Sequence, residues 1–257
     1  MKFSSALSIP AEWSAGVRQG VLLGAAVLAL TLPPAGLATS RVTAASRPHL
    51  ANILPDIADL AVPRVADFGD HVASLDARFV ANWVAHSQDN QHLPFVILDK
   101  RDARVFVFDA GGMLVDSSPV LLGAAAGDDS VVGIGSRPIA EVRPEERTTP
   151  AGRFVSHPGR NASGEDVVWV DYDAAVSMHR VRPVDPKERR LERLASNDPA
   201  QRRISYGCIN VPVAFFESVV KPVLGAQRAV VYVLPETRNV RAVFAGAYPV
   251  DPNTHRM

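Results

Sequence analysis

The chain has a single cysteine, no net charge and no long apolar run, and each of these absences excludes something. Lys and Arg number 27 together, as do Asp and Glu, so no net field draws the protein to nucleic acid or acidic lipids, and we expect neither as a partner. The apolar run at residues 21–32 is shorter than the roughly 20 residues of a comfortable membrane span. Because Cys208 stands alone, an intramolecular disulfide is excluded.

Residues 1–38 have the order of a secretory signal. Lys2 and Arg18 precede the apolar run, and two prolines and small residues up to Ala38 follow it. We therefore expect an exported protein of the periplasm or cell wall, with no stable membrane insertion after processing. An uncleaved N-terminal membrane anchor is the alternative. The sequence carries no signal for an oligomeric state.

The remaining chain predicts one mainly β domain with short helices. Twenty prolines and 17 glycines favour a turn-rich β fold over a helical bundle. Residues 39–93 are predicted to form a tether and a helical extension. Residues 94–235 form the main domain in this interpretation, and residues 236–257 a poorly ordered C-terminal tail.

Short β-branched and aromatic runs predict the strands, and apolar residues at intervals of three and four predict the helices. The predicted strands are 95–99, 104–109, 113–115, 131–134, 154–155, 167–172, 176–179 and 230–234. The predicted helices lie within 62–86, 186–195 and 213–224. Strands this short and frequent are typical of a sandwich or a barrel-like sheet.

A lone thiol in an exported protein pairs between chains, lies buried and inert, or serves as a nucleophile. The neighbours of Cys208 favour the nucleophile. Gly207 permits a tight turn and a close backbone approach, and Ser205 adds a hydroxyl. These residues predict an exposed sulfur beside converging backbone N–H groups.

A catalytic thiol needs a base or a positive partner close in space, and histidine supplies it most often. Among seven histidines, His179 is the best placed, because it ends the strand 176–179 just before the segment that leads to Ser205. A structural role at the strand end is the alternative. His157 lies in a predicted turn and is the second candidate.

Three motifs resemble a known family. The run Ser-Tyr-Gly-Cys-Ile-Asn at 205–210 resembles the [Ser/Thr]-His-Gly-Cys-hydrophobic-[Asn/Arg] signature of L,D-transpeptidases of the YkuD type. Met178-His179 resembles their upstream hydrophobic-His pair, and residues 149–154 match their Thr-Pro-x-Gly-x-Phe segment. The motifs occur in the family's order, and the resemblance covers roughly residues 94–235.

The resemblance implies a YkuD-like β-sandwich catalytic domain and acyl transfer on peptidoglycan stem peptides, with no metal and no organic cofactor. Cys208 would attack the carbonyl of the third residue of a tetrapeptide stem and expel the terminal D-alanine. An amine would then resolve the thioester, which gives a 3→3 cross-link or attachment to the wall. His179 would be the general base.

Further residues receive roles from the same resemblance. The backbone N–H groups of Tyr206, Gly207 and Cys208 are candidates for the oxyanion hole, with Ser205 in support. Asn210, Arg180 and Arg203 are candidates for binding the substrate. For Arg180 and Arg203, and for the neighbouring Arg202, solvated surface charge is the alternative.

Two features depart from the family pattern. Tyr206 stands where the family usually has histidine; it keeps the backbone donor, but its hydroxyl is a poor base at neutral pH. Between His179 and Ser205 lie 25 residues, more than the family usually has. The excess matches the charged segment 186–200, which we interpret as a mobile flap over the site and not as part of the core.

Two other functions are compatible with the sequence. Water in place of the amine would make the protein an L,D-carboxypeptidase or a hydrolase of cross-links. The second function is that of a non-catalytic scaffold that binds the cell wall. In this interpretation, Tyr206 in place of the usual histidine indicates that activity has been lost.

Overall fold

The computed structural model describes residues 64–251, all within the second of the two units into which the chain divides, Pro55–Met257. The signal predicted at residues 1–38 and the tether after it lie outside the described residues, as do the last six residues. Among residues 64–251, no helix is both long enough and apolar enough to cross a membrane.

An eight-stranded sheet forms the centre of the fold, in the order β3-β2-β1-β10-β5-β6-β7-β9. The strands are β1 (Phe95–Asp99), β2 (Arg104–Phe108), β3 (Leu114–Pro119), β4 (Leu122–Gly123), β5 (Gly152–Arg160), β6 (Asp166–Asp171), β7 (Val176–Arg180), β8 (Arg203–Ser205), β9 (Ile209–Val211) and β10 (Ala229–Val233). Strands β4 and β8 pair separately. Leu121 and Asn210 exchange backbone hydrogen bonds of 2.8 and 2.9 Å, so the sheet nearly closes. The prediction of a mainly β fold is confirmed.

Short helices cover the sheet. They are α1 (Leu75–Ser87), α2 (Arg190–Ala195), α3 (Val213–Phe215), the π-helix Phe216–Leu224 that continues it, and α4 (Val240–Val243). Short 3-10 helices lie at Ile134–Ser136, Ile139–Glu141, Pro144–Glu146, Pro186–Glu188 and Pro199–Arg202.

The core lies on both faces of the sheet. Along β1, Phe95 and Ile97 belong to a cluster with helices α1 and α4, whereas Val96 and Leu98 belong to a cluster with the π-helix. Successive side chains of a strand point to opposite faces, so covering both faces buries every residue of β1. This explains why residues 95–98 of β1 are continuously apolar in sequence instead of alternating.

Two stretches differ from the predicted elements. Residues 131–134 form no strand, because Val132 is almost fully exposed and Gly133 turns the chain with a φ of +74°. A 3-10 helix begins at Ile134 instead. Residues 64–74 precede helix α1, because the Ser74 hydroxyl accepts a hydrogen bond from the N–H of Ala77 and caps the helix there.

The segment 186–200 is helical in part, as predicted, and all of its residues except Leu194 are at least partly exposed. Leu194 is buried against Leu121 and Val181 in a small apolar cluster. This cluster anchors helix α2 beside strand β9 and beside the turn that carries Cys208.

Residues 236–251 are packed instead of forming the poorly ordered tail that the sequence predicts. Val240 and Phe244 are buried in the cluster that contains helix α1. The Asp128 carboxylate accepts hydrogen bonds from the backbone N–H groups of residues 236–238. Buried apolar contacts and the hydrogen bonds to Asp128 therefore fix residues 236–251 against the rest of the domain.

Candidate active site

Cys208 lies in a tight turn between β8 and β9. The Ser205 hydroxyl donates to the Cys208 carbonyl oxygen at 2.6 Å and accepts from the N–H of Gly207 at 3.2 Å. Gly207 has a φ of +124°, and a Cβ at this position would lie 2.9 Å from the Thr148 carbonyl oxygen. Glycine is therefore required here for both conformation and space.

Thr149, from the Thr-Pro-x-Gly-x-Phe motif, holds this turn from the other side. Its hydroxyl donates to the Gly207 carbonyl oxygen at 2.8 Å and accepts from the N–H of Gly123 at 2.9 Å. The buried ammonium of Lys100 donates to the Thr149 carbonyl oxygen at 2.9 Å. The sequence motif signals that Thr149 matters, but its contact with a residue 58 positions away could not be inferred from it.

Replacing Thr149 by valine should destabilise the protein, because the N–H of Gly123 and the C=O of Gly207 would both lose a buried partner. An orphaned buried group costs about 1–3 kcal/mol, so we expect a loss of roughly 2–4 kcal/mol in the free energy of unfolding. Urea denaturation measures it. Thr149→Ser keeps the hydroxyl and is the matched control; equal stability of the two variants would contradict the assignment.

The pairing of β7 with β9 brings His179 to the turn. The two strands are parallel, with His179 opposite Asn210. The Nδ1 atom of His179 donates to the Arg180 carbonyl oxygen at 2.8 Å, and Nε2 lies 3.2 Å from Asn210 Nδ2. His179 lies close enough to Cys208 to lower the pKa of its thiol, so the structure brings together the predicted nucleophile and the predicted base.

Cys208 is half-buried, and its sulfur has polar neighbours. Sγ lies 3.7 Å from the Ser177 hydroxyl and donates to the Ala175 carbonyl oxygen at 3.6 Å. Burial raises the pKa of the thiol, but the hydrogen bond and charge of His179 and the hydrogen bonds of Ser177 lower it by more, so the pKa lies below its usual value. A lowered pKa makes a thiolate available for nucleophilic attack.

Two backbone N–H groups beside the sulfur are available to a ligand. Among the described residues, the N–H groups of Tyr206 and Cys208 find no acceptor, whereas the N–H of Gly207 is used by the Ser205 hydroxyl. Of the three N–H groups predicted to form the oxyanion hole, those of Tyr206 and Cys208 therefore remain available. Ser205 stabilises the turn itself, which is the supporting role that the sequence assigns to it.

Tyr206 presents its ring at the surface, with 38% of its area exposed. The guanidinium of Arg147 lies 3.9 Å from the ring centroid, within range of a cation–π interaction. Within residues 64–251, the Tyr206 hydroxyl makes no hydrogen bond, and so it does not orient His179.

Replacing Tyr206 by phenylalanine should leave acylation of Cys208 within about threefold of the wild-type rate, because the backbone donor and the turn remain. Tyr206→His should be tolerated for the same reason. Single-turnover acylation measures both. A hundredfold drop in the Phe variant with unchanged folding would show that the hydroxyl takes part.

A cavity of about 330 Å³ opens in front of Cys208. Its walls combine the predicted site residues with part of the segment between β7 and β8. The lining residues other than Cys208 are His179, Ser205, Tyr206, Asn210, Ile139, Arg182, Val184, Asp185, Glu188 and Arg190. The cations at this cavity are thus Arg182 and Arg190, which sequence reasoning missed.

The arginines predicted to bind substrate are used elsewhere. Arg180 forms an ion pair with Glu217 at 2.5 Å, and Arg203 forms one with Glu236. Neither lines the cavity. Arg202 is buried and donates to the backbone carbonyl oxygens of Asp102 and Ser196, so it is neither a site residue nor solvated surface charge.

Among residues 64–251, no three histidine, cysteine or carboxylate side chains are grouped so that they could hold a metal ion.

No protein-family model and no curated protein matches the chain. Solved structures do match. The helical cell shape determining protein Pgp2 from Campylobacter jejuni is 15% identical with a TM-score of 0.38, over 57% of this chain and 49% of that chain. A variant of the Enterococcus faecium L,D-transpeptidase is 17% identical with a TM-score of 0.31, over 55% and 49%. The L,D-transpeptidase from Mycobacterium smegmatis is 15% identical with a TM-score of 0.31, over 55% and 58%.

Two of these three proteins are L,D-transpeptidases, the family that the sequence motifs resemble. The chain spans about half the length of the Campylobacter and Enterococcus proteins, 49% of each. Similarity at this distance carries no argument about the activity of this chain, which depends on its own residues.

Proposed function

We propose that the protein is a cysteine acyltransferase of peptidoglycan, an L,D-transpeptidase. The observation that supports this most is the environment of Cys208: a half-buried thiol whose pKa the neighbouring His179 lowers, flanked by two backbone N–H groups that find no acceptor among the described residues. A thiol, a base and oxyanion donors at one point are the requirements of acyl transfer through a thioester. The secretory signal predicted at residues 1–38 places the substrate, stem peptides of the cell wall, within reach.

In the first half of the proposed reaction, Nε2 of His179 takes the proton of the Cys208 thiol, and the sulfur forms a bond to the carbonyl carbon of the third residue of a tetrapeptide stem. The carbonyl oxygen becomes an oxyanion that the N–H groups of Tyr206 and Cys208 stabilise. Collapse of this intermediate breaks the peptide bond to D-alanine, and the leaving amine takes the proton from His179.

In the second half, an amine of another stem attacks the thioester carbon. His179 removes a proton from the attacking amine and returns it to the sulfur as the carbon–sulfur bond breaks. The products are a new amide and the free thiol. Water in place of the amine gives the carboxypeptidase or hydrolase outcome through the same residues.

Product analysis tests the proposal. The purified chain is incubated with a tetrapeptide stem, with and without an amine acceptor. The products are then separated, and their masses are measured by mass spectrometry. Loss of D-alanine coupled to gain of the acceptor supports transpeptidation, whereas loss of D-alanine with gain of water identifies a carboxypeptidase. No turnover and no covalent adduct on Cys208 would contradict an enzyme and favour the scaffold.

A further inference from the structure

The His179 side chain is connected to the segment between β7 and β8 through a buried amide. Nη1 of Arg190 donates to Oδ1 of Asn210 at 2.6 Å, and Nδ2 of the same Asn210 side chain lies 3.2 Å from Nε2 of His179. Asn210 is fully buried. Arg190 is itself fixed by Glu188, whose carboxylate accepts from Nε of Arg190 at 2.5 Å.

The donors and acceptors of these groups leave one consistent arrangement. A guanidinium has only donors, so it must face the oxygen of the Asn210 amide and not its nitrogen. The NH2 group of Asn210 then points to Nε2 of His179, which must accept and therefore carries no proton. The proton of the neutral imidazole is left on Nδ1, where it is donated to the Arg180 carbonyl oxygen at 2.8 Å.

We propose that Arg190 is a positioning residue for His179: by fixing the orientation of the Asn210 amide, it keeps a donor beside Nε2 and so favours the tautomer that has its proton on Nδ1 and its lone pair on Nε2. The inference rests on the proposed function in that Nε2 is the atom that accepts the thiol proton. It also gives the 25 residues between His179 and Ser205 a role, because helix α2 begins at Arg190 and carries it to the site.

Without Arg190, the Asn210 amide is held only by the hydrogen bond from Nδ2 to the Cys208 carbonyl oxygen at 3.4 Å, and it turns over more readily. Its oxygen then accepts a hydrogen bond from a protonated Nε2, which weakens the preference for a proton on Nδ1 that the Arg180 carbonyl oxygen still supports. The tautomer with its lone pair on Nδ1 cannot take the proton of Cys208. Arg190 therefore acts on the base through Asn210, without touching the sulfur in this arrangement.

The tautomer of His179 can be measured without an acyl donor. A failure of this proposal can therefore be distinguished from a failure of the proposed function. The full-length protein is labelled with 15N-histidine, and the signals of His179 are identified by their loss in His179→Gln. At pH 7.5 we expect the wild type to show a protonated Nδ1 and an unprotonated Nε2. In Arg190→Met, which keeps a side chain of similar length and removes its donors, the difference in 15N chemical shift between the two nitrogens of His179 should shrink.

Two further variants separate positioning from a general structural effect. Arg190→Lys retains a donor and should keep the wild-type pattern of shifts. Arg189→Met makes the same chemical change one residue earlier, where the side chain pairs with Glu192 at the surface, and should leave His179 unaffected. A wild-type Nε2 that carries a proton would overturn the proposal even if Arg190→Met failed to fold, as would unchanged shifts in a folded Arg190→Met.

The rate of Cys208 alkylation by iodoacetamide at pH 7 gives a second readout. We expect Arg190→Met to slow it about three- to tenfold, the range set by the net contribution of a single hydrogen bond. Arg190→Lys should recover most of the rate, and Arg189→Met should match the wild type. An unchanged or faster rate in Arg190→Met would contradict the role of Arg190 in presenting Nε2 to the thiol.

Discussion

The Cys208→Ala variant is expected to form no covalent adduct with a carbapenem, a class of compound that acylates L,D-transpeptidases, while the wild type gains the mass of one molecule. Cys208 is the only cysteine in the chain, so no second thiol can replace it. The variant should remain folded, because the hydrogen bonds of Sγ within residues 64–251 are long, 3.7 Å to the Ser177 hydroxyl and 3.6 Å to the Ala175 carbonyl oxygen, and losing a half-buried sulfur costs roughly 1 kcal/mol. Intact-protein mass spectrometry and a thermal melt measure the two effects.

Cys208→Ser is the matched variant for this experiment. It keeps the size and the hydrogen-bonding capacity of the side chain but replaces the thiol with a far less acidic hydroxyl, so its adduct should form slowly or not at all. An adduct on Cys208→Ala would show that the carbapenem reacts elsewhere. The absence of an adduct on the wild type under all conditions would remove the main support for acyl transfer.

The His179→Gln variant is expected to lose most of its acylation activity, by about 10²–10⁴-fold, the range of general acid–base catalysis. His179 lowers the pKa of Cys208, so its removal should raise the pKa of the thiol, which burial raises as well. A higher pKa means less thiolate at pH 7. The rate of Cys208 alkylation against pH measures this, with the midpoint of the variant at higher pH.

The alkylation rate at high pH distinguishes a raised pKa of Cys208 from structural damage as the reason for the slower reaction of His179→Gln. Above the pKa of both proteins, each thiol is fully ionised, so the alkylation rates of the wild type and His179→Gln should converge. His157→Gln is the matched control, because His157 is exposed on β5 and does not line the cavity. If His179→Gln leaves the pH profile unchanged, His179 is structural and another base must serve Cys208.

Most strands and the pairing of thiol with imidazole could be predicted because their signals are local. Runs of β-branched and aromatic residues mark β1, β2, β6 and β10, and the position of His179 near a strand end does not depend on distant contacts. The exception at residues 131–134 has a local cause in Gly133, whose positive φ ends any extended run.

The alternation within β7 contained more information than the sequence prediction used. Neighbouring residues of a strand face opposite sides, so Arg180 is directed away from His179, toward Glu217 and the ring of Phe216. The same rule places Ser177 on the side of His179, where its hydroxyl lies 3.7 Å from the Cys208 sulfur. Period-two reasoning alone would have replaced Arg180 with Ser177 in the candidate site.

The sequence by itself determined the chemical groups of the candidate site and the turn that carries them: a lone thiol, a histidine at a strand end and a glycine next to the cysteine. Only the tertiary structure decided which distant side chains reach these groups. Thr149 meets the Cys208 turn from 58 positions away, and Arg190 meets Asn210 from 20. A hydrogen bond acts over about 3 Å, so such partners depend on the register of β7 against β9 and on the packing of Leu194, which arise from contacts along the whole domain.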